Sequence, residues 1–380
     1  MKWKTWREWF RIVHLWIGII GGLFIFVICL TGTVLVYQDD VIQLLNKEVY
    51  HIEPQIDAVD VTSLISHVEN ETKKSVLSIR KDIDKSKAWQ FAVRKSDEKG
   101  RPETVFVNPY TSQILGNAKT LVGKDFFMFN FKLHRWFLMD TAVGRPIVGF
   151  FTIAFVIALL TGLVIWFPKK LKNYKKGFKI KWRSNWKRIN HDFHSAFGLY
   201  ASLFLLIMGL TGLFWSFEWY KHGVSKMIGT QVFDRSKTEI PIEDGPNPSI
   251  SLNSLISTIE TDLSQYDKLA IGIPKDPSKA MEVSAYHTGF ASLSLPDKFY
   301  YNQHTAEQVE VQMFSSLPFN QKVAKSIHGL HMGYLFGPLN KIIFFITSII
   351  ASLLPITGFL IWANRKKWWK KKKNYKNLSL

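Results

Sequence analysis

The chain has 380 residues, of which 47% are hydrophobic and 14% aromatic, and it carries a formal net charge of +19. This combination is typical of a membrane protein with charged ends. Its single cysteine, Cys29, excludes an internal disulfide, a four-cysteine iron–sulfur cluster and covalent attachment of a cofactor through a C-x-x-C-H motif.

Four apolar runs predict membrane spans. They cover residues 14–37, 146–167, 197–217 and 342–362. Each is close to the roughly 20 residues that a helix needs to cross about 30 Å of hydrocarbon. The first run is too long for a removable signal peptide and is not followed by a cleavage site of small residues, so we expect it to remain as a permanent anchor.

Basic residues predict the orientation of these spans. They concentrate at the start of the chain, between the second and third spans, and at the end. Loops rich in Lys and Arg stay in the cytoplasm, so both termini are expected inside and the two long loops, 38–130 and 218–327, outside. In these long loops acidic residues slightly outnumber basic ones, which argues against a nucleic-acid partner.

The sequence repeats itself. A shift of 180 residues places the first span on the third, and a shift of 196 or 197 residues places the second on the fourth. We therefore expect two tandem halves, each with a span, an outer domain and a second span. The matched residues are His14 with His194, Leu30-Thr31-Gly32 with Leu210-Thr211-Gly212, Thr161-Gly162 with Thr357-Gly358, and His134 with His331.

The two long loops also resemble each other. VFVNPYTSQILG at Val105–Gly116 aligns with FYYNQHTAEQVEV at Phe299–Val311, and both predict a strand, a turn at the asparagine and a second strand. Amphipathic helices are predicted upstream, over Val61–Glu71 and Leu252–Leu263. Each loop is therefore predicted to form a small α+β unit in which one helix packs on an antiparallel sheet.

Several segments carry a family resemblance. HLWIGIIGGLFIFVICLTGTVLVYQ, LHRWFLM with GRPIVG, HDFHSAFGLY, LHMGYLFGP and LPITGFLIW resemble motifs of the PepSY-associated transmembrane helix family, and VNPYTSQILG is similar to the PepSY turn signature. That family includes iron-regulated membrane proteins and ferric-siderophore reductases. The resemblance covers nearly the whole chain and implies a multi-pass protein of the bacterial inner membrane, which in some members holds b-type haem and reduces ferric complexes outside.

The predicted fold class is an α-helical integral membrane protein with four main transmembrane helices in two tandem repeats and two extracytoplasmic α+β PepSY-like domains. The boundaries define the first span (1–37), the first outer domain (38–125), an interfacial segment with the second span (126–167), a basic cytoplasmic loop (168–193), the third span (194–217), the second outer domain (218–322), an interfacial segment with the fourth span (323–362) and a basic tail (363–380). Breaks between interfacial segment and span are predicted at 140–146 and at Gly337-Pro338.

Four histidines carry the functional hypothesis. Ionisable residues at span ends are functional by default. His14 and His194 start two helices from the cytoplasmic side, whereas His134 and His331 lie near the outer surface. This arrangement fits two b haems, one near each face, each held by imidazoles from two helices.

Neighbouring residues support or extend this set. Gly18 and Gly198 lie one turn after His14 and His194, where a missing side chain leaves room for a flat macrocycle. His328 is an alternative ligand to His331, and His191 is a candidate contact for a haem propionate or a lipid phosphate. Asp192 is a candidate to orient His194. The four Thr-Gly pairs are interpreted as packing notches rather than ligands.

The leading hypothesis is a transmembrane conduit that passes electrons through two b haems to an outer acceptor, expected to be a ferric chelate such as a siderophore, in iron uptake. Because the chain has no nucleotide or flavin motif, electrons are expected from a cytoplasmic flavoprotein reductase or a membrane quinol. The sequence leaves a homodimer open. The alternatives are a non-redox membrane-anchored PepSY protein that binds and regulates a peptide or protease, and a zinc or copper transporter that uses the same histidines.

Overall fold

The computed structural model describes residues 5–95, 97–98, 100–168, 177–234, 238–242 and 250–366. Part of the predicted basic loop and most of the predicted basic tail fall outside these residues. The chain divides into two compact units. The helical unit lies within Met1–Val36, Phe129–Lys221 and Ile342–Leu380, and the sheet unit within Tyr37–Met128 and His222–Lys341.

Four helices are long and apolar enough to cross a membrane, as the apolar runs predict. They cover Trp6–Val36, Thr141–Trp166, Trp186–Trp215 and Gly337–Arg365. The first consists of α1 (Trp6–Trp16), a π-helical turn (Ile17–Gly21) and α2 (Gly22–Val36), and the other three are built on α7 (Thr141–Trp166), α8 (Trp186–Gly212) and α12 (Gly337–Arg365). Each begins several residues before its apolar run, and only the fourth continues beyond the end of its run.

The break before the second span lies earlier than the sequence predicts. Helix α6 (Lys124–Trp136) ends in two residues with left-handed backbone, Phe137 and Leu138. Asp140 then caps α7 by accepting a hydrogen bond from the backbone N–H of Ala142. Pro146 lies inside α7, so the prediction of a break reaching to residue 146 is wrong. The aspartate cap, rather than the proline, starts the helix.

The break before the fourth span lies just before Gly337. Helix α11 (Phe319–Met332) ends at Gly333, whose φ of 74° is the left-handed conformation that glycine adopts without strain. Helix α12 then begins at Gly337, so Pro338 occupies the first turn. A proline is tolerated there because its missing N–H would have no partner within the helix.

The helical unit packs through small residues. Leu159, Leu205 and Ala351 form its buried core together with Ala201. A side chain added at Gly209 would lie 2.8 Å from Val156, so α7 and α8 approach at a distance that only glycine allows. Close contact through small residues is the usual way in which helices associate in a bilayer, where burial of apolar area gives little advantage.

The strands of both long loops form one sheet. Its order is β4-β3-β2-β1-β5-β6-β7-β8, with every pair antiparallel. The two predicted α+β units are thus joined where β1 pairs with β5, with Ile79 opposite Ile271. The strands are β1 (Ser75–Asp82), β2 (Trp89–Arg94), β3 (Glu103–Val107), β4 (Ile114–Asn117), β5 (Lys268–Gly272), β6 (Met281–Tyr286), β7 (Asp297–Tyr301) and β8 (Gln308–Gln312).

One core fills one face of this sheet. Two helices, α5 (Val61–Thr72) and α10 (Leu252–Asp262), bury Leu64 and Ile259 against strand residues such as Phe91. Both helices begin with a side-chain cap, from Asp60 for α5 and from Ser251 for α10. The unit also contains α3 (Gln38–Leu45), α4 (Lys47–Tyr50), α11 and most of α9 (Glu218–Ile228).

The two asparagine turns have the same construction. The side chain of Asn108 accepts a hydrogen bond from the backbone N–H of Tyr110, and that of Asn302 accepts from His304. Four residues after each asparagine the backbone is left-handed. The strand, turn and strand predicted in each loop are therefore present.

A partly buried carboxylate on β3 is expected to make the sheet unit sensitive to acid. Glu103 on β3 accepts hydrogen bonds from Lys119 and from Lys74, the latter at 2.6 Å. These contacts, Lys119 first, lower the pKa of Glu103 to about 2. A carboxyl group with a lowered pKa stabilises the fold above its ordinary pKa, and the stabilisation is lost as the pH falls toward the folded value.

We therefore expect Glu103→Gln to be less stable than wild type at neutral pH and to lose less stability on acidification from pH 5 to pH 2.5. Thermal unfolding of the detergent-solubilised protein, followed by the β-sheet signal in circular dichroism, measures this. Glu48→Gln, at an exposed position on α4, is the control. Parallel acid dependence of Glu103→Gln and wild type would contradict the assignment.

Candidate cofactor site

Two predicted histidines come together in the helical unit. His14 lies in α1, immediately before the π-helical turn, and His194 lies in α8. Their ring centres are 6.2 Å apart and their planes are nearly perpendicular, at 87°. Two helices that are distant in sequence thus present imidazoles to each other.

Each of these rings is held through Nδ1. His14 Nδ1 lies 2.9 Å from the carbonyl oxygen of Ala158 and 3.2 Å from the hydroxyl oxygen of Thr161. His194 Nδ1 lies 2.9 Å from the hydroxyl oxygen of Thr357. The partners of His14 belong to α7, and the partner of His194 belongs to α12.

The partners determine which ring nitrogen carries the proton. A carbonyl oxygen only accepts, so Nδ1 of His14 must donate to Ala158. Thr161 already donates its hydroxyl hydrogen to the carbonyls of its own helix, at Ile157 and Ala158, so it too can only accept from the ring. The Nε2 lone pair is therefore left available, which is the arrangement of a metal-ligating histidine whose other nitrogen is held by a hydrogen bond.

His134 repeats the pattern on another helix. Its Nδ1 lies 2.9 Å from the carbonyl oxygen of Ile28 and 3.3 Å from the hydroxyl oxygen of Thr31. Thr31 donates in turn to the carbonyls of Val27 and Ile28. His134 therefore also donates from Nδ1.

The glycine of each Thr-Gly pair lies against a histidine ring. A side chain at Gly162 would place its Cβ 3.2 Å from Cε1 of His14, and the same distance separates Gly358 from His194. At Gly32 the distance to Cε1 of His134 would be 3.0 Å. These three pairs are packing notches, as predicted, and the groups that they accommodate are the predicted ligands.

The other predicted residues have different surroundings. His191 is exposed, 3.7 Å from a carboxylate oxygen of Asp192. The suggestion that Asp192 orients His194 is wrong, because Asp192 accepts hydrogen bonds from Arg188 at 2.9 Å and from the backbone N–H of Lys181. The position of Asp192, two residues before His194 on α8, turns its side chain toward Arg188 one turn earlier.

The histidines predicted near the outer surface do not all belong to the same compact unit. His331 and His328 lie on α11 in the sheet unit, whereas His134 lies in the helical unit. His328 is exposed and its Nδ1 contacts the hydroxyl group of Tyr334. Partial burial, followed by the charge of Arg101, lowers the pKa of His328, which favours its neutral form.

Two imidazoles, from His14 and His194, are a set of donors that suits haem iron, because the porphyrin supplies the other ligands. Across the described parts of the chain, no three His, Cys, Asp or Glu side chains gather into a metal-binding group. Protein zinc sites use three or four such ligands. A haem iron needs only axial ligands from the protein. The two ring centres lie 6.2 Å apart, so His14 and His194 could hold a single iron between them.

Space beside the pair is consistent with a flat group. At Gly18, one turn after His14, a Cβ would meet no atom within 4 Å. At Gly198, one turn after His194, the nearest atom would be a methyl group of Leu354 at 3.6 Å. The residues present therefore fit haem in both donor set and clearance.

The family of the chain follows from its sequence. Residues 11–365 match the PepSY-associated TM region, and the chain belongs to this family. It is a multi-pass membrane protein, because the matched region includes the four apolar helices. A comparison with curated proteins finds no match.

Sequence reasoning missed the residues that hold the histidines. The hydroxyl groups of Thr31, Thr161 and Thr357 bind the rings, whereas only a packing role was predicted for these residues. A signal was present, because a Thr-Gly pair recurs in every span. The carbonyl partners, at Ile28 and Ala158, leave no trace in the sequence, because every residue has a carbonyl group.

The fit between glycine and ring gives a direct test. Gly358→Leu should push His194 away from Thr357, because even a Cβ at this position lies 3.2 Å from the ring, and overpacking of this kind costs about 1–3 kcal/mol. We expect acylation of His194 by diethyl pyrocarbonate, followed by mass spectrometry, to become several-fold faster. Gly223→Leu, where an added Cβ meets no atom within 4 Å, is the matched control. Equal labelling of His194 in the two variants would contradict the packing described here.

Proposed function

We propose that this chain is a haem-containing transmembrane electron-transfer protein in which His14 and His194 are the axial ligands of a b-type haem. The observation that carries the proposal is the facing pair of imidazoles at 6.2 Å, each with Nδ1 engaged and Nε2 left available. The sequence repeat assigns a second haem b to His134 and His331, with His328 as the alternative ligand to His331. His191 remains a candidate contact for a propionate.

The proposed topology follows from charge. Both termini and the basic loop lie in the cytoplasm, and the sheet unit lies outside the inner membrane of a bacterial cell. The two halves of the chain are tandem repeats, and the sheet unit combines their two PepSY-like domains. His14 and His194 are then near the cytoplasmic side, where electrons enter.

Haem supplies an iron that accepts and gives one electron at a time. The residues of the chain hold it and set its surroundings. His14 and His194 bind from opposite helices, and the threonines and carbonyls fix their ring orientation. Apolar packing around Leu159 and Leu205 excludes water from the bundle, which lowers the local dielectric and so influences the redox potential.

The donor and acceptor belong to other molecules. A cytoplasmic flavoprotein reductase or a membrane quinol supplies electrons, since the sequence has no nucleotide or flavin motif. A ferric chelate, such as a ferric siderophore, accepts them outside and is reduced in iron acquisition. The motifs of the sequence support this choice, because they resemble those of a family that includes ferric-siderophore reductases.

Haem content tests the proposal. The detergent-purified protein, oxidised and then reduced with dithionite, should give sharp b-type bands, and a pyridine haemochrome assay should give two haems per chain. His14→Ala and His194→Ala should each remove the same half of the haem, because both residues bind one iron. His134→Ala should remove the other half. His67→Ala, on α5 of the sheet unit, is the control and should retain both.

Three results would count against this function. A folded wild-type protein without haem, after expression with adequate haem supply, would favour the non-redox PepSY protein that binds a peptide or protease. Stoichiometric zinc or copper in place of haem would favour metal transport. Loss of all haem from every single histidine variant would contradict two separate sites.

A further inference from the structure

The geometry points to Thr357 as the principal positioning residue for His194, with Thr161 in a weaker equivalent role for His14. This inference rests on the proposed function and deepens it. It assigns to two threonines the control of ligand tautomer and basicity at the inner haem.

A common motif holds three histidines of the helical unit, His14, His134 and His194. In each case a threonine hydroxyl lies within 3.3 Å of Nδ1, and the following glycine lies against Cε1. For His14 and His134, the carbonyl three residues before the threonine lies at 2.9 Å from Nδ1. The motif occurs on α2, α7 and α12, so it belongs to the Thr-Gly pair rather than to one helix.

Each threonine hydroxyl can only accept a hydrogen bond from the histidine ring, because its own hydrogen is donated to a carbonyl of its helix. Thr357 donates its hydroxyl hydrogen to the carbonyls of Leu353 and Leu354, both at 3.0 Å. Its remaining lone pair points at His194. A ring rotated by half a turn would bring a carbon to this position and leave Nδ1–H without this acceptor, which is costly in an apolar environment. The threonine therefore selects both the tautomer and the ring orientation.

The two inner histidines differ in their nearer acceptor. For His14 the carbonyl of Ala158 is nearer, at 2.9 Å, and Thr161 lies at 3.2 Å. For His194 the hydroxyl of Thr357 is at 2.9 Å. Removal of the Thr161 hydroxyl leaves His14 with its shorter hydrogen bond, whereas removal of the Thr357 hydroxyl takes the 2.9 Å bond from His194 and leaves the carbonyl of Leu354 as its remaining acceptor. The two substitutions should therefore differ in effect at a single iron.

A hydrogen bond from Nδ1 raises the basicity of Nε2. A more basic imidazole stabilises the ferric over the ferrous state and holds the iron more firmly. Loss of this hydrogen bond should therefore raise the redox potential of the inner haem and speed its dissociation. Losing a hydrogen-bonding partner of this kind typically costs about 10–100-fold in metal affinity.

The experiment compares Thr357→Val and Thr161→Val with wild type in the full-length haem-loaded protein. We expect haem transfer to apomyoglobin from the inner site to be about tenfold faster in Thr357→Val and its redox potential to rise, with smaller changes in Thr161→Val. Thr357→Ser, which keeps the hydroxyl group, should behave as wild type. Thr152→Val is the matched control, because the Thr152 hydroxyl bonds only to its own helix, at Val148.

The outcomes separate the two proposals. Absence of haem from wild type would overturn the proposed function itself. A wild type that holds haem, together with a Thr357→Val variant whose potential and dissociation rate match those of Thr152→Val, would overturn only the role of Thr357. An effect of Thr161→Val equal to or larger than that of Thr357→Val would also overturn it. If Thr357→Val does not accumulate, Thr357→Ala removes the hydroxyl group without the added methyl group and is scored against the same control.

Discussion

The hydrogen bond from a histidine Nδ1 to a neighbouring helix is the interaction on which the helical unit depends. An imidazole inside an apolar bundle must satisfy its N–H group, and water is not available to do so. His14, His134 and His194 all donate to acceptors on a different helix. The acceptors are backbone carbonyls and threonines whose own hydrogens are already committed. The same hydrogen bonds therefore link neighbouring helices and hold the three imidazole rings in place.

The sheet unit is stabilised mainly by a hydrophobic core that its two halves share. Each half supplies four strands and one covering helix, which is a small core for an independent domain. Pairing of β1 with β5 joins the halves, so Leu64 and Ile259 contribute to a single buried cluster. A shared core buries a larger fraction of apolar surface than two separate ones, and it also removes two exposed strand edges. The outer strands β4 and β8 remain as the edges of the complete sheet.

Elements whose signal is local were predictable from the sequence. The spans follow from apolar length, the helices α5 and α10 from their amphipathic periodicity, and the asparagine turns from Asn108 and Asn302. Predictions that depend on distant partners were less complete. The joining of β1 to β5 requires knowledge of which strand edge is exposed, and no residue in Ser75–Asp82 encodes it. The break at Phe137 was displaced because a capping aspartate outweighed a proline that a helix tolerates near its start.

At the candidate site, the histidines were predictable because ionisable residues are rare at membrane depth and because the repeat pairs them. Their hydrogen-bond partners were not, since backbone carbonyls carry no sequence signature.

The π-helical turn at Ile17–Gly21 has a further consequence. The third span has no such turn between His194 and Gly212. A wider turn rotates all that follows it relative to a regular helix, so residues at equal offsets in the two halves face different directions. The two halves of the chain, although they match in sequence, are therefore not interchangeable in structure.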